Sequence, residues 1–224
     1  MRKQVVVAID GPAGAGKSTA ARLLAGRLGC LYIDSGALYR AATLGCMQRG
    51  VDLEDAAAVE AAVGRMAVRY LPEGVYLDGR KLGGEIRAEE VTRKVRHLAA
   101  NPAVRRMMTR AARDSVRDRD AVVEGRDAGG VIFPDARVKV YLDASVEERA
   151  RRRGEELRND GQDLTPSEVI DSIASRDRSD FSRADDPLGV APGAAVVDTT
   201  ELTIEEVVGK LEELVKQKVG EQDE

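Results

Sequence analysis

The sequence predicts an α/β fold of three layers: a five-stranded parallel sheet between helices, with an inserted small antiparallel β-containing subdomain and a helical lid. Three observations carry this expectation. Short apolar runs at 5–9, 31–33, 121–123, 138–142 and 195–197 are each followed by a polar or glycine-containing turn and then a helical pattern, the rhythm of βα units. Right-handed crossovers would place the carboxyl ends of all five strands along one edge, where open α/β sheets bind ligands. Between residues 51 and 100 the rhythm breaks into shorter pieces joined by Glu73, Gly74, Asp78 and Gly79.

The first run leads into Gly11, Pro12, Ala13, Gly14, Ala15, Gly16, Lys17 and Ser18, which fit the spacing GxxxxGK[ST]. Glycines permit a backbone whose N–H groups converge on phosphate oxygens. The helical pattern of Ala20, Ala21, Leu23, Leu24 and Leu28 offers its positive N-terminal end, Lys17 reaches β- and γ-phosphates, and Ser18 ligates Mg²⁺. A flexible glycine turn is the plainer reading of the same residues. The strand before and the helix after favour a nucleoside triphosphate site.

The second run ends at Asp34, Ser35, Tyr39 and Arg40, which open a helix. Asp34 or Ser35 is placed to cap it. Ser35, Tyr39 and Arg40 fall within about one and a half turns, so a hydroxyl, a phenol and a guanidinium face one anionic ligand. The inserted stretch reads as a helix over Leu53–Met66, β-like pieces at 68–70, 75–77 and 81–82, then helices over Ala88–Ala100 and Ala103–Arg117 with Pro102 between them.

The third run is followed by Glu124, Gly125, Arg126 and Asp127, where a carboxylate at a strand end suits Mg²⁺ or its water. Asp127–Gly130 also matches DxxG, a loop pattern of GTPases, but no guanine-reading Asn-Lys-x-Asp segment accompanies it. After the fourth run, spacing puts Arg149, Arg152 and Arg153 on one helical face and Arg151 on another, with Glu147, Glu148, Glu155 and Glu156 near enough to pair with them. Arginines flanking the polar turn at 159–163 suit a lid that closes over a transferring phosphate. Arg176, Asp180 and Arg183 recur at i, i+4 and i+7, one face of a helix or an ordinary ion pair.

Bulk properties narrow the class. A formal net charge of -4, from 35 Lys+Arg against 39 Asp+Glu, leaves no basic footprint for nucleic acid or an anionic membrane. Two cysteines, Cys30 and Cys46, fit neither a disulfide framework nor a metal site, and a reduced cytoplasm is expected. His97 is the single histidine and lies in an arginine-rich helix, which disfavours histidine-based nucleophilic or metal chemistry. No window approaches a membrane span.

Taken together, GPAGAGKS, DSGALYR, GEIR at Gly84–Arg87, NPAVR at Asn101–Arg105, EGRDAG, FPDARVKVYLDAS at Phe133–Ser145, EERARRR and RDRSDFSR at Arg176–Arg183 resemble the bacterial cytidylate kinases, in order from about residue 4 to 215. The resemblance implies a P-loop kinase fold in one domain, 1–224, with residues 51–100 as the monophosphate-binding insertion and about 149–166 as lid. It implies transfer of the γ-phosphoryl of ATP to CMP or dCMP with Mg²⁺ by a cytoplasmic monomer.

Carried over by motif, residues 11–19 including Thr19 hold ATP, and Ser35, Tyr39, Arg40, Arg105, Arg126, Asp127, Arg176, Asp180 and Arg183 surround CMP. Lys17, Arg126, Arg149, Arg152 and Arg153 act in catalysis. Ser18 binds Mg²⁺ directly, Asp34 and Glu124 through water. Cytosine shows acceptors at O2 and N3 and a donor at N4, so Arg105 and Arg183 with the Asp127 carboxylate suit it, whereas uracil presents a carbonyl to that carboxylate.

Where the family commonly has a serine, nine positions before Arg105, this chain has Arg96; Thr92 is a nearby hydroxyl. Kinases of UMP or of a non-nucleotide acceptor, and a nucleotide-dependent switch, are the competing readings.

Overall fold

The computed structural model describes residues 4–159, 164–182 and 188–220. Arg183, and residues 160–163 of the expected lid, lie outside the described residues. The chain forms two compact units, one of residues 1–32 with 120–224 and the other of residues 33–119.

A five-stranded parallel sheet has the order β2-β6-β1-β7-β8, with β1 at Val6–Asp10, β2 at Leu31–Asp34, β6 at Ala121–Glu124, β7 at Val138–Asp143 and β8 at Ala195–Asp198; all of it but Ile33 and Asp34 belongs to the first unit. β1 is central and buried along its whole length. Register pairs Val7 with Val122 on one side and Val138 on the other. Helices α1 (Lys17–Leu28) and α8 (Ile204–Gly220) pack on this sheet, and Leu24, Val208 and Leu211 are fully enclosed with Ile9 and Leu142. Removing such side chains from water stabilises the unit by about 2 kcal/mol each. Helices α6 (Val146–Asn159) and α7 (Pro166–Phe181) pack through Leu157, Val169 and Ile173. A capping box of Thr165 and Glu168, with Pro166 in the first turn, starts α7.

Each of the five strands runs one residue beyond its expected apolar run, and that last residue is acidic: Asp10, Asp34, Glu124, Asp143 and Asp198. Acidic residues have weak strand propensity, so the apolar pattern stopped short of them. Here Asp34, Asp143 and Asp198 accept from backbone N–H groups just after their own strands, whereas Asp10 accepts from N–H groups after β6 and Glu124 from the Ser18 hydroxyl.

The second unit holds α2 (Ser35–Gln48), α3 (Ala56–Val63), the antiparallel sheet β3-β4-β5 (Val68–Leu71, Gly74–Leu77, Arg80–Lys81), α4 (Glu89–Ala99) and α5 (Pro102–Val116). Val68, Tyr70, Val75 and Leu77 alternate onto the buried face. Asp78 and Gly79 both take positive φ, 49° and 82°, as the tight β4–β5 turn requires. The expected helix over Leu53–Met66 is shorter than predicted, because the Asp55 side chain caps it by accepting from the N–H groups of Ala57 and Ala58. Pro102 opens α5 behind the Asn101 cap, one residue earlier than expected.

Candidate active site

The glycine loop at the carboxyl end of β1 is fixed by contacts within the first unit. Gly11, Gly14 and Gly16 have φ of 148°, 79° and 83°, conformations that favour glycine. A Cβ on Gly11 would collide with the Leu142 carbonyl oxygen, and one on Gly14 would lie 2.8 Å from the Arg149 carbonyl oxygen. Gly16 caps α1, so the unpaired N–H groups of the first helical turn face the loop.

Lys17 is buried, and its Nζ donates to the Pro12 carbonyl at 2.7 Å, closing the loop on itself. Burial and the nearby Arg126 cation push its pKa down to about 7, against the opposing pull of Glu124, Asp10 and Asp180. Incoming anionic phosphate would favour the charged form. The Ser18 hydroxyl donates to Glu124 Oε1 at 2.7 Å. This pair of hard oxygens joins the phosphate loop to the end of β6. Among the described residues no group of three or more His, Cys, Asp or Glu gathers to hold a metal. Such a donor set fits Mg²⁺, which keeps several waters and leans on substrate phosphates.

The arginines of α6 fall on two sides, as their spacing requires. Arg149 is buried: Nε donates to the Ala144 carbonyl at 3.1 Å, and Nη1 donates to the Ala13 carbonyl at 3.1 Å and to Asp177 Oδ2 at 2.6 Å. Arg152 lies near Gly16, donating to Glu148, to Thr199 Oγ1 at 2.9 Å and to the Thr199 carbonyl at 2.6 Å. Arg153 pairs with Glu156. Arg151 is exposed and pairs with Glu148 and Glu155. Hydrogen bonds from Arg151, with Arg152 adding to them, hold the Glu148 carboxyl at about 2. After β6, Arg126 Nε donates to the buried Asp180 on α7 at 2.7 Å. Arg176 and Asp127 are half-buried.

In the second unit Asp34 caps α2, accepting from the Ala37 N–H, while its other oxygen takes Arg40 at 2.6 Å and Arg87 at 3.0 Å. Burial works to raise this carboxyl, yet the two guanidiniums and the backbone N–H hold it below its usual range. Arg40 Nε is buried with no hydrogen-bond partner among the described residues. Ser35 and Arg105 are buried and Tyr39 is half-buried. Arg96 is exposed, and the Thr92 hydroxyl one turn earlier donates to the Arg87 carbonyl at 3.3 Å.

A sequence model of the cytidylate kinase family matches residues 7–217. The chain belongs to the cytidylate kinase family. It is 43% identical to the cytidylate kinase of Bacillus pumilus over 215 residues, 94% of this chain and 96% of the relative. It is 42% identical to that of Geobacillus thermodenitrificans over 224 residues, 98% of this chain and 100% of the relative. The solved structure of shikimate kinase from Bacteroides thetaiotaomicron shares the fold, with a TM-score of 0.50 at 17% identity over 95% of this chain and 98% of that one.

Four residues of this constellation escaped the sequence reading. Asp10 is buried and binds the backbone N–H groups of Ala128 and Gly129. Arg87 shares Asp34 with Arg40, Asp177 holds Arg149, and the fully buried Thr199 holds Arg152. An acidic residue following every apolar run was the available signal for Asp10. Arg87 closes GEIR and Asp177 lies in RDRSDFSR, motifs from which neither residue drew a role, and no pattern marks Thr199.

Proposed function

We propose that the protein transfers the γ-phosphoryl group of ATP to CMP or dCMP, giving ADP and CDP or dCDP. The observation that carries this reading is the family match across residues 7–217, supported by a glycine loop with positive φ at Gly11, Gly14 and Gly16 and by Lys17 and Ser18 hydrogen-bonded to Pro12 and Glu124.

In this reading an oxygen of the acceptor monophosphate attacks the γ-phosphorus in line. The new O–P bond forms as the bond to the β-phosphate oxygen breaks, and ADP carries away the electron pair. No general base is required, because a monophosphate with a second pKa near 6 is already anionic at neutral pH. Ser18 would hold Mg²⁺ directly, and Glu124 and Asp34 would hold it through water; the ion would supply charge neutralisation on the transferring phosphate. Residues 11–19 position the triphosphate, with Lys17 against its β- and γ-oxygens. Arg149 steadies the loop from beneath, and Arg152 and Arg153 belong to the lid that excludes water.

The acceptor roles follow the motifs. Asp127 accepts from cytosine N4, Asp180 accepts from sugar hydroxyls, and Arg40, Arg126 and Arg176 hold the acceptor phosphate. Ser35 and Tyr39 add hydroxyls, and Arg105 donates to the base. The unsatisfied Arg40 Nε supports this, since a buried donor without a partner is rare unless a ligand completes it. Arg183 is assigned to the base on its motif alone.

A coupled assay with ATP and Mg²⁺, comparing CMP, dCMP, UMP, AMP and shikimate at equal concentration, tests the reading. ADP release with CMP and dCMP alone is the expected result. Preferential turnover of UMP would move the explanation to Arg96, and no acceptor-dependent turnover would sink the kinase reading.

A further inference from the structure

The Arg126–Asp127 span is pinned to β1 on both flanks. On its N-terminal side the Gly125 N–H donates to the Ile9 carbonyl at 3.0 Å. On its C-terminal side Asp10 takes two successive backbone donors, the Ala128 N–H on Oδ1 at 2.6 Å and the Gly129 N–H on Oδ2 at 2.8 Å. Beyond that grip the backbone winds into a wide helical turn, with the N–H groups of Val131 and Ile132 both donating to the Asp127 carbonyl at 2.8 and 3.0 Å. Only two residues stand between the pins, and their side chains are Arg126 and Asp127.

A carboxylate suits this place because both its oxygens accept, whereas an amide would turn an NH₂ toward one of the two N–H groups. The approach also depends on Gly129, where a Cβ would stand 3.3 Å from Asp10 Oδ2 and 3.4 Å from the Ala8 Cβ. Asp10 is buried and precedes Gly11, so it has little room to follow a displaced loop.

We infer that Asp10 is a positioning residue for base selectivity: its double grip on Ala128 and Gly129 fixes the two-residue span that places the Asp127 carboxylate. The inference rests on the proposed role of Asp127 as the reader of cytosine N4. Telling an amino group from a carbonyl at one ring position needs an acceptor held within about half an ångström, and the two hydrogen bonds to Asp10 supply a supporting shell for the span that carries it.

The test compares kcat/KM for CMP and UMP in the wild type, Asp10→Asn, Gly129→Ala and Asp127→Asn, with KM for ATP and the unfolding temperature measured alongside. Asp10→Asn is expected to lower the CMP-to-UMP ratio about tenfold, the scale of one lost hydrogen bond, through KM for CMP. Gly129→Ala, which disturbs the grip while keeping the carboxylate, moves the ratio in the same direction and decides the matter if Asp10→Asn does not fold. A folded Asp10→Asn with the wild-type ratio overturns the inference while Asp127→Asn still lowers it. Parallel rises in both KM values at constant ratio also overturn it, since they mark a merely structural role. An unchanged ratio in Asp127→Asn defeats the reading of Asp127 instead.

Discussion

Replacing Asp177 by Asn separates what the Arg149 pair does for stability from what it does for nucleotide binding. Arg149 is buried and Asp177 largely so, with side chains 6% and 15% exposed and a 2.6 Å contact. Asp177 Oδ1 has no hydrogen-bond partner among the described residues, so the charge of this carboxylate is answered chiefly through Oδ2. Stripping one partner from such a pair costs about 3–5 kcal/mol, because a desolvated cation is left behind. Asn keeps an oxygen for Arg149 and loses only the charge, which brings the expected loss to about 2 kcal/mol. For a chain of this size that lowers the unfolding temperature by about 4–8 °C.

A double variant, Arg149→Met with Asp177→Leu, replaces the pair by apolar groups and is expected to unfold near the wild-type temperature. It nevertheless deprives the Ala13 carbonyl of its donor, so calorimetric Kd for ATP should rise about tenfold. A Asp177→Asn loss under about 0.5 kcal/mol would refute the energetic argument. Wild-type ATP affinity in the double variant would refute the claim that Arg149 steadies the phosphate loop.

Three further outcomes are expected. Lys17→Met should lower kcat by about two to three orders of magnitude in the coupled assay, yet raise the unfolding temperature, because it removes a buried cation whose pKa already shows the strain of desolvation. Thr199→Val deletes the hydroxyl that accepts from Arg152 and donates to the Asp143 carbonyl; it should cost about 1–2 kcal/mol in denaturant unfolding and raise KM for ATP several-fold. Burial lifts the Asp10 carboxyl from 3.8 to about 6, so the folded state holds its proton more tightly than the unfolded chain. Its contribution is fully present below pH 3.8 and lost as pH rises through about 6, a fall of roughly 3 kcal/mol. Unfolding curves of the wild type and Asp10→Asn between pH 4 and 7 should therefore diverge in the variant's favour as pH rises, and parallel curves would contradict this.

Much of the fold was legible because its signals are local. Five apolar runs gave the parallel sheet, and Asp78 with Gly79 gave the tight turn of the small one. Strand ends were misjudged by one residue each, since Asp10 or Glu124 reads as loop until its distant partner is known. The same limit governs the site. Glycine spacing announces a phosphate loop, but nothing near Thr199 in sequence reveals Arg152, 47 residues away, nor does Asp177 announce Arg149, 28 residues away. Helical spacing correctly set Arg151 apart from Arg149 and Arg152, because periodicity is a property of the helix alone.

The collisions that a Cβ would meet at Gly11 and Gly14 come from the Leu142 carbonyl and the backbone of Arg149. The backbone of the proposed cradle is thus set by its walls, and in that reading an arriving nucleotide finds it shaped. Little of the binding energy goes to ordering the loop, which leaves more for aligning the two phosphates. A mould of this kind grips any oxyanion of suitable size. Inorganic phosphate or sulfate should therefore compete with ATP while leaving the choice between pyrimidine bases untouched.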